Sequence, residues 1–321
     1  MNLCYNAGMA MSESRKKKLE MLVRSLARGD FAAARNVLTP GDVASEPAAT
    51  CPQAAGRRGG SERAVPPTGP VSLQDACPGA ESLVRTPSGQ GRYWLIRRTL
   101  AEVAPDNLAI AREYASVMRG ARRLFDELEA SAELCRAADF GPGDLLFMDT
   151  ETCGFSGCAI FLVGMMRYEG GQMVFEQCLA RNYAEEPAIL RAFFERLAAI
   201  SGLVTFNGKA FDMNMIRERS IFHGLELPER EPPHLDLLHE SRRRWRGTVP
   251  NCRLKTLESL LCGRYRPADI PSSAIPDAYH GFVETGDARA IRDIVHHNML
   301  DMLTMAQLLC VLLTGCEPTP E

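Results

Sequence analysis

Leu145-Leu146-Phe147-Met148-Asp149-Thr150-Glu151-Thr152 is a run of four apolar residues followed by two carboxylates spaced one position apart. Such a run reads as a buried strand, and the two-residue period of a strand puts Asp149 and Glu151 on the same face at its end. Two ionised carboxylates there repel each other and are costly to desolvate, so the pair asks for a cation or for hydrogen-bond donors. The bland alternative is a strand running out into a polar turn.

Gly141-Pro142-Gly143 breaks the chain just before this strand. Two further strands, over 159–168 and 173–180, are joined by Glu169-Gly170-Gly171 and complete an antiparallel meander. The period then changes. Residues 185–200 read as a helix, 203–206 as a short strand, 211–222 as a helix and 234–237 as a strand. The order is βββαβαβα. With its first strand central in a mixed five-stranded sheet flanked by helices, it resembles the ribonuclease H-like α/β fold.

Upstream of the meander, residues 92–98 alternate like an edge strand, and helical patterns follow over 107–119 and 122–137. Residues 39–91 are dense in Pro, Gly, Ala and Ser and poor in aromatic and branched apolar residues, the composition of a disordered linker. Residues 1–38 read as a short helical segment carrying Arg15-Lys16-Lys17-Lys18, either a docking hairpin or a solvated basic helix. The expected organisation is therefore a helical segment over 1–38, a linker over 39–91 and a ribonuclease H-like domain over 92–316 with its motifs within 144–313.

The 321 residues are 45% hydrophobic, enough for a sizeable core, and the net charge of −3 gives no global basic field. Any nucleic-acid partner must be met by local patches. Eleven scattered cysteines in a chain this long suit reduced thiols and a cytoplasmic setting better than a disulfide framework. Cys153 and Cys158 lack a second Cys or His pair at zinc spacing. The first residues lack the apolar core of a signal peptide, and the apolar segment over 299–313 is short and interrupted by Asp301, Thr304 and Gln307, so no membrane segment is expected.

Two more acidic residues stand out. Asp212 follows Asn207-Gly208-Lys209 and falls in the first turn of a helix, where the dipole alone would favour it. Asp301 sits within Met299-Leu300-Asp301-Met302-Leu303 on what should be the best-buried helix, and a lone carboxylate there needs a partner. His297, four residues earlier, shares its face, whereas His296 points away. A structural His297–Asp301 pair is one reading. The other is a catalytic set in which Asp149, Glu151, Asp212 and Asp301 hold two divalent ions about 3.5–4 Å apart and His297 takes a proton from the attacking water. All-oxygen ligation favours Mg²⁺ or Mn²⁺.

Asp149-Thr150-Glu151, the stretch from Asn207 to Asp212, and His297-Asn298-Met299-Leu300-Asp301 resemble the three motifs of the DnaQ-like, DEDD-type 3′–5′ exonucleases. More closely, the chain resembles the YprB-type ribonuclease H-like domain. Phe161-Leu162-Val163-Gly164, Val204-Thr205-Phe206-Asn207-Gly208-Lys209, His234-Leu235-Asp236-Leu237-Leu238-His239, Cys252-Arg253-Leu254-Lys255-Thr256-Leu257-Glu258, Asp269-Ile270-Pro271 and Ile275-Pro276 carry that likeness. It implies metal-dependent exonuclease chemistry on DNA or RNA, on a single strand or a free 3′ end. Within this resemblance the catalytic base falls either five residues before the last Asp, at His296, or four before it, at His297. Helical geometry and the His-Asn-x-x-Asp pattern favour His297. The runner-up is a nucleic-acid-binding or scaffolding module, and a third reading is an endonuclease on the same fold.

Candidate substrate contacts are Asn207, Lys209 and the basic run Arg242-Arg243-Arg244-Trp245-Arg246, in which Arg243 and Arg244 would grip phosphates while Trp245 stacks on a base or packs down. Asp236 ends an apolar strand near the expected site, either beside the metal or capping the next helix. Residues 264–281, with three prolines, read as an ordered excursion walling the cleft.

Overall fold

A computed structural model of the chain describes residues 69–314 except 126–129, 156 and 267–268. The helical segment expected over 1–38, and the expected linker up to residue 68, lie outside the described residues.

Seven strands form one sheet in the order β1-β2-β5-β4-β3-β6-β7. They are β1 Ala80–Thr86, β2 Gly89–Thr99, β3 Leu145–Thr152, β4 Ile160–Glu169, β5 Gln172–Leu179, β6 Gly202–Thr205 and β7 His234–Asp236. Strands β1 to β5 pair antiparallel, and β6 and β7 join β3 in parallel. The meander and the parallel pair are as expected, and β3 is interior between β4 and β6, although the middle strand of the seven is β4. The two additional strands correct the five-stranded expectation.

Strand β1 lies inside the expected linker, and Leu73–Ala76, capped by Ser72, is also helical there. Only Val84 and Thr86 of β1 are buried, so its place in the sheet comes from backbone pairing to β2 and not from an apolar pattern. That pairing makes β2 an interior strand between β1 and β5, not the edge strand its alternation suggested.

Helices cover the sheet: α1 Leu73–Ala76, α2 Leu100–Val103, α3 Ala109–Phe125, α4 Ala132–Ala137, α5 Glu186–Leu197, α6 Asp212–Phe222, α7 Leu237–Trp245, α8 Leu254–Leu261, α9 Ile275–Thr285 and α10 Arg289–Thr314. Helix α3 runs on past Arg122, where a new helix was expected. The expected excursion over 264–281 is irregular only in its first part, among the described residues, with a 3-10 turn at Ser272–Ala274. From Ile275 it is helix α9, because Pro276 falls in the first turn, where its missing N–H costs nothing.

Helix α10 packs on β3, β4 and α3, and Met302, Leu303, Met305, Leu308, Leu309 and Leu313 are fully enclosed. It is long enough to cross a membrane by length and composition, yet most of it is buried in the core. Because β3, β6 and β7 run parallel, their C-terminal ends lie along one edge of the sheet. Open α/β sheets place their sites at such an edge.

Candidate metal centre

Strand β3 brings Asp149 and Glu151 to that edge on one face, with Asp149 half-buried and Glu151 buried. Asp212 opens α6 and is 5% exposed. Its Oδ1 accepts from the Thr150 hydroxyl at 2.5 Å and from the Thr150 amide at 3.2 Å, which ties the second motif to the residue between the two carboxylates of the first. Asp301 comes from α10, where its charge acts on both Asp149 and Glu151.

The electrostatics of this cluster are those of a charge deficit. Burial, then the charges of Glu151, Asp212 and Asp301, push the Asp149 carboxyl well above its usual range. Burial, then Asp301 and Asp212, do the same to Glu151. Burial lifts Asp212 to about 6 against the bonds from Thr150.

His297 is 4% exposed, with Nδ1 2.7 Å from Asp269 Oδ1 and Nε2 3.4 Å from Asp301 Oδ2. His296 is exposed, as its place on the far side of the helix requires. Asp301 Oδ1 meets Arg266 Nη1 at 2.7 Å. Arg266 also reaches Glu258 and Thr304, and Lys255 Nζ lies 2.8 Å from Asp269 Oδ2. The stretches Cys252 to Glu258 and Asp269 to Pro271, quoted above only for their likeness, thus form with Arg266 a part-buried ionic frame around His297 and Asp301. Asn298, beside His297, donates from Nδ2 to Asp149 Oδ2 at 2.8 Å.

Sequence reasoning passed over Asp269, Arg266 and Asn298 as functional residues. Asn298 falls inside the third motif and Asp269 inside a quoted stretch, which were the available signals.

The donor types suit a hard divalent cation: four carboxylates and no thiolate, three of the four pushed up chiefly by burial. As placed, Asp212 Oδ1 is taken by Thr150, Asp301 Oδ1 by Arg266 and Asp149 Oδ2 by Asn298. Among the described residues, no three acidic, histidine or cysteine side chains close around a common point.

A family model described as the RNase H superfamily matches residues 146–313, just over half of the chain. The chain belongs to the RNase H superfamily. It is also similar to the uncharacterized protein YprB of Bacillus subtilis (strain 168), with 33% identity over 176 residues, 54% of this chain and 42% of YprB. The chain therefore spans less than half the length of that relative. A family B DNA polymerase from the hyperthermophilic archaeon Pyrobaculum calidifontis aligns over 53% of this chain and 24% of its own, at 15% identity and a TM-score of 0.42. The RNase H assignment and the YprB likeness read from the motifs are borne out.

The other candidates separate clearly. Trp245 is 2% exposed and packs into the core, which corrects its reading as a base-stacking residue. It falls on the inner face of α7 with Leu237, Leu238 and Ser241, at helical spacing. Arg242 and Arg243 on the same helix are exposed and Arg244 is half-buried. Asp236 is 1% exposed and accepts from the amides of Asn207, Lys209 and Leu238, so it caps α7 and fastens the loop after β6. Asn207 adopts φ of 69°, a left-handed conformation that Asn tolerates better than most residues. Lys209 Nζ lies 3.8 Å from Glu133.

Proposed function

We propose that this RNase H superfamily chain is a divalent-metal-dependent nuclease, and specifically a 3′–5′ exonuclease that hydrolyses phosphodiester bonds in DNA or RNA. The observation that carries this reading is the gathering of Asp149, Glu151 and Asp212 at one sheet edge with Asp301 and His297 from α10. A binding module has no need to keep four such carboxylates together.

Bound there, two Mg²⁺ or Mn²⁺ ions would activate water and stabilise charge on the leaving oxygen. Asp149, Glu151, Asp212 and Asp301 would ligate them. His297 serves as the base, its ring held by Asp269. Asp269 is held below the usual carboxylate range: its burial works the other way, and the bonds from Lys255 and His297 outweigh it. An ionised Asp269 can only accept, so the proton sits on Nδ1 and Nε2 is the atom left to take one.

The substrate is a single strand or a free 3′ end, held in part by Lys209 and by the exposed arginines of α7. Asn207 is assigned to shaping that loop. The described cysteines are all free, which supports a cytoplasmic setting.

The test is nucleotide release from 3′-labelled and 5′-labelled single-stranded DNA and RNA with Mn²⁺, Mg²⁺ or chelator, for the wild type and Asp149→Ala. Metal-dependent loss from the 3′ end that the substitution abolishes is expected. Cutting of end-blocked substrates would replace the exonuclease with an endonuclease, and binding without cutting would leave the binding module.

A further inference from the structure

Asp149, Gly164 and Gln177 form one row across the sheet: Asp149 pairs with Gly164 between β3 and β4, and Gly164 pairs with Gln177 between β4 and β5. The middle position of the row has no side chain. Asn298, fully buried on α10, lies across that gap. A Cβ at Gly164 would stand 1.8 Å from Asn298 Oδ1 and 2.9 Å from Met302 Cε, so the side chain of Asn298 occupies the space the glycine leaves.

The bonds made in that space have one consistent direction. Gln177 Nε2 donates to the main-chain oxygen of Val295 at 2.9 Å and to Asn298 Oδ1 at 2.9 Å. A main-chain carbonyl only accepts, so the Gln177 atom that faces it is the nitrogen. A nitrogen there requires the oxygen of Asn298 to face Gln177, and this leaves the Asn298 nitrogen facing Asp149. Nδ2 duly lies 2.8 Å from Asp149 Oδ2 and 3.3 Å from the Asp149 main-chain oxygen. Two main-chain oxygens, of Val295 on α10 and of Asp149 on β3, thereby agree on the orientation of the two amides and deliver a donor to the carboxylate.

We propose that Asn298 is a positioning residue that acts through Asp149, holding its carboxylate in one rotamer with Oδ1 turned to a cation. The proposal rests on the metal-dependent reading of this site. A neutral donor suits the task. It orients the carboxylate through one hydrogen bond and adds no positive charge that would compete with an ion. Gln177 and Gly164 have derived parts: Gln177 fixes which end of the amide faces Asp149, and Gly164 supplies the room.

The experiment is calorimetric titration of Mn²⁺ into the full chain, alongside thermal unfolding in chelator. Asn298→Ala is expected to weaken Mn²⁺ binding about 10- to 100-fold, the usual cost of losing a ligand's hydrogen-bond partner. Gln177→Met, which leaves Asp149 and Asn298 in place but removes the donor that holds Asn298 Oδ1, weakens it in the same direction by less. Tyr279→Phe loses a buried bond to the Ala180 carbonyl, outside the row, so it lowers the unfolding midpoint and leaves Mn²⁺ affinity unchanged. Wild-type Mn²⁺ affinity in a folded Asn298→Ala protein overturns the proposal. If that protein does not fold, wild-type affinity in Gln177→Met overturns it. A different result marks failure of the underlying reading: a wild type that binds no Mn²⁺, or an Asp149→Ala protein that binds it as well as wild type, removes the metal centre and this proposal with it.

Discussion

The imidazole of His297 is held by Asp269 at 2.7 Å, and Asp269 is itself held by Lys255 at 2.8 Å. This chain of contacts gives the two adjacent histidines different fates. His297→Ala is expected to lower the rate of nucleotide release by about 10²–10⁴-fold, the range of a lost general base. His296→Ala is expected to stay within a few-fold of wild type. Asp269→Asn, which can turn its amide toward Nδ1 and so stabilise the wrong tautomer, falls between them. An inactive His296→Ala beside an active His297→Ala would reverse the assignment.

Asp212 contributes to the pH behaviour of the metal-free protein beside Asp149 and Glu151, whose carboxyls are pushed up further. Burial raises its pKa from 3.8 to about 6. A carboxyl with a raised folded-state pKa contributes its full stability below its unfolded value and loses it as pH rises through the folded value. This group alone therefore removes on the order of 3 kcal/mol between about pH 4 and pH 7. The unfolding midpoint measured in chelator should fall from about pH 4 to pH 7 and fall less in Asp212→Asn. Excess Mn²⁺ should recover the wild-type loss by binding only the folded state. An equal fall in both proteins would show that Asp212 is not the source.

The basic run on α7 divides into two roles that separate experimentally. Arg242→Ala with Arg243→Ala is expected to reduce the slope of log affinity against log salt for single-stranded nucleic acid by about one to two, with the fold intact. Trp245→Ala is expected to cost about 3–5 kcal/mol of stability through a cavity. A salt slope unchanged by the arginine substitutions would remove these residues from the substrate path.

The loop after β6 is held by backbone geometry as much as by side chains. Asn207→Gly, which keeps access to positive φ, should leave stability near wild type, whereas Asn207→Val should cost at least 1 to 2 kcal/mol, on the order of the strain of a left-handed residue. Asp236→Ala strands the buried Leu238 amide and the part-buried amides of Asn207 and Lys209 and is expected to cost about 1–3 kcal/mol. Equal midpoints for the Gly and Val variants in thermal unfolding would show that the conformation of Asn207 is not what matters.

The parts of this fold that announce themselves by apolar period were legible in the residues. Strands β3 to β7 and helices α5 and α10 each bury a face or the whole element, so their patterns are strong, whereas α6 leaves Ile221 and Phe222 exposed. Strand β1 was not legible, because an edge strand of Ala80-Glu81-Ser82-Leu83-Val84-Arg85-Thr86 is held by backbone bonds that leave no mark on side-chain choice. The same distinction runs through the site. Asp149, Glu151, Asp212, Asp301 and His297 stand out because carboxylates and a histidine on apolar elements need partners. The partnership of Asn298, Gly164 and Gln177 depends on the register of three strands, and Asp269 and Arg266 reach α10 from an irregular segment with no period to read. Trp245 was ambiguous for the opposite reason: a tryptophan among arginines looks like a nucleic-acid contact until the helix face it occupies is known.

Asn298 and Asp149 touch across 149 positions of sequence, and the other contacts that close the site, from Asp269 to His297 across 28 and from Arg266 to Asp301 across 35, meet the same helix. Contacts of such long range form late, after loop-closure entropy has been met by the rest of the core. A chain in which β3 to β7 have paired but α10 has not yet docked holds Asp149 and Glu151 without Asn298, His297 or Asp301. Such an intermediate has an acidic edge and no base, so cleaving activity should appear only in the slowest phase of refolding, together with the last burial of core surface.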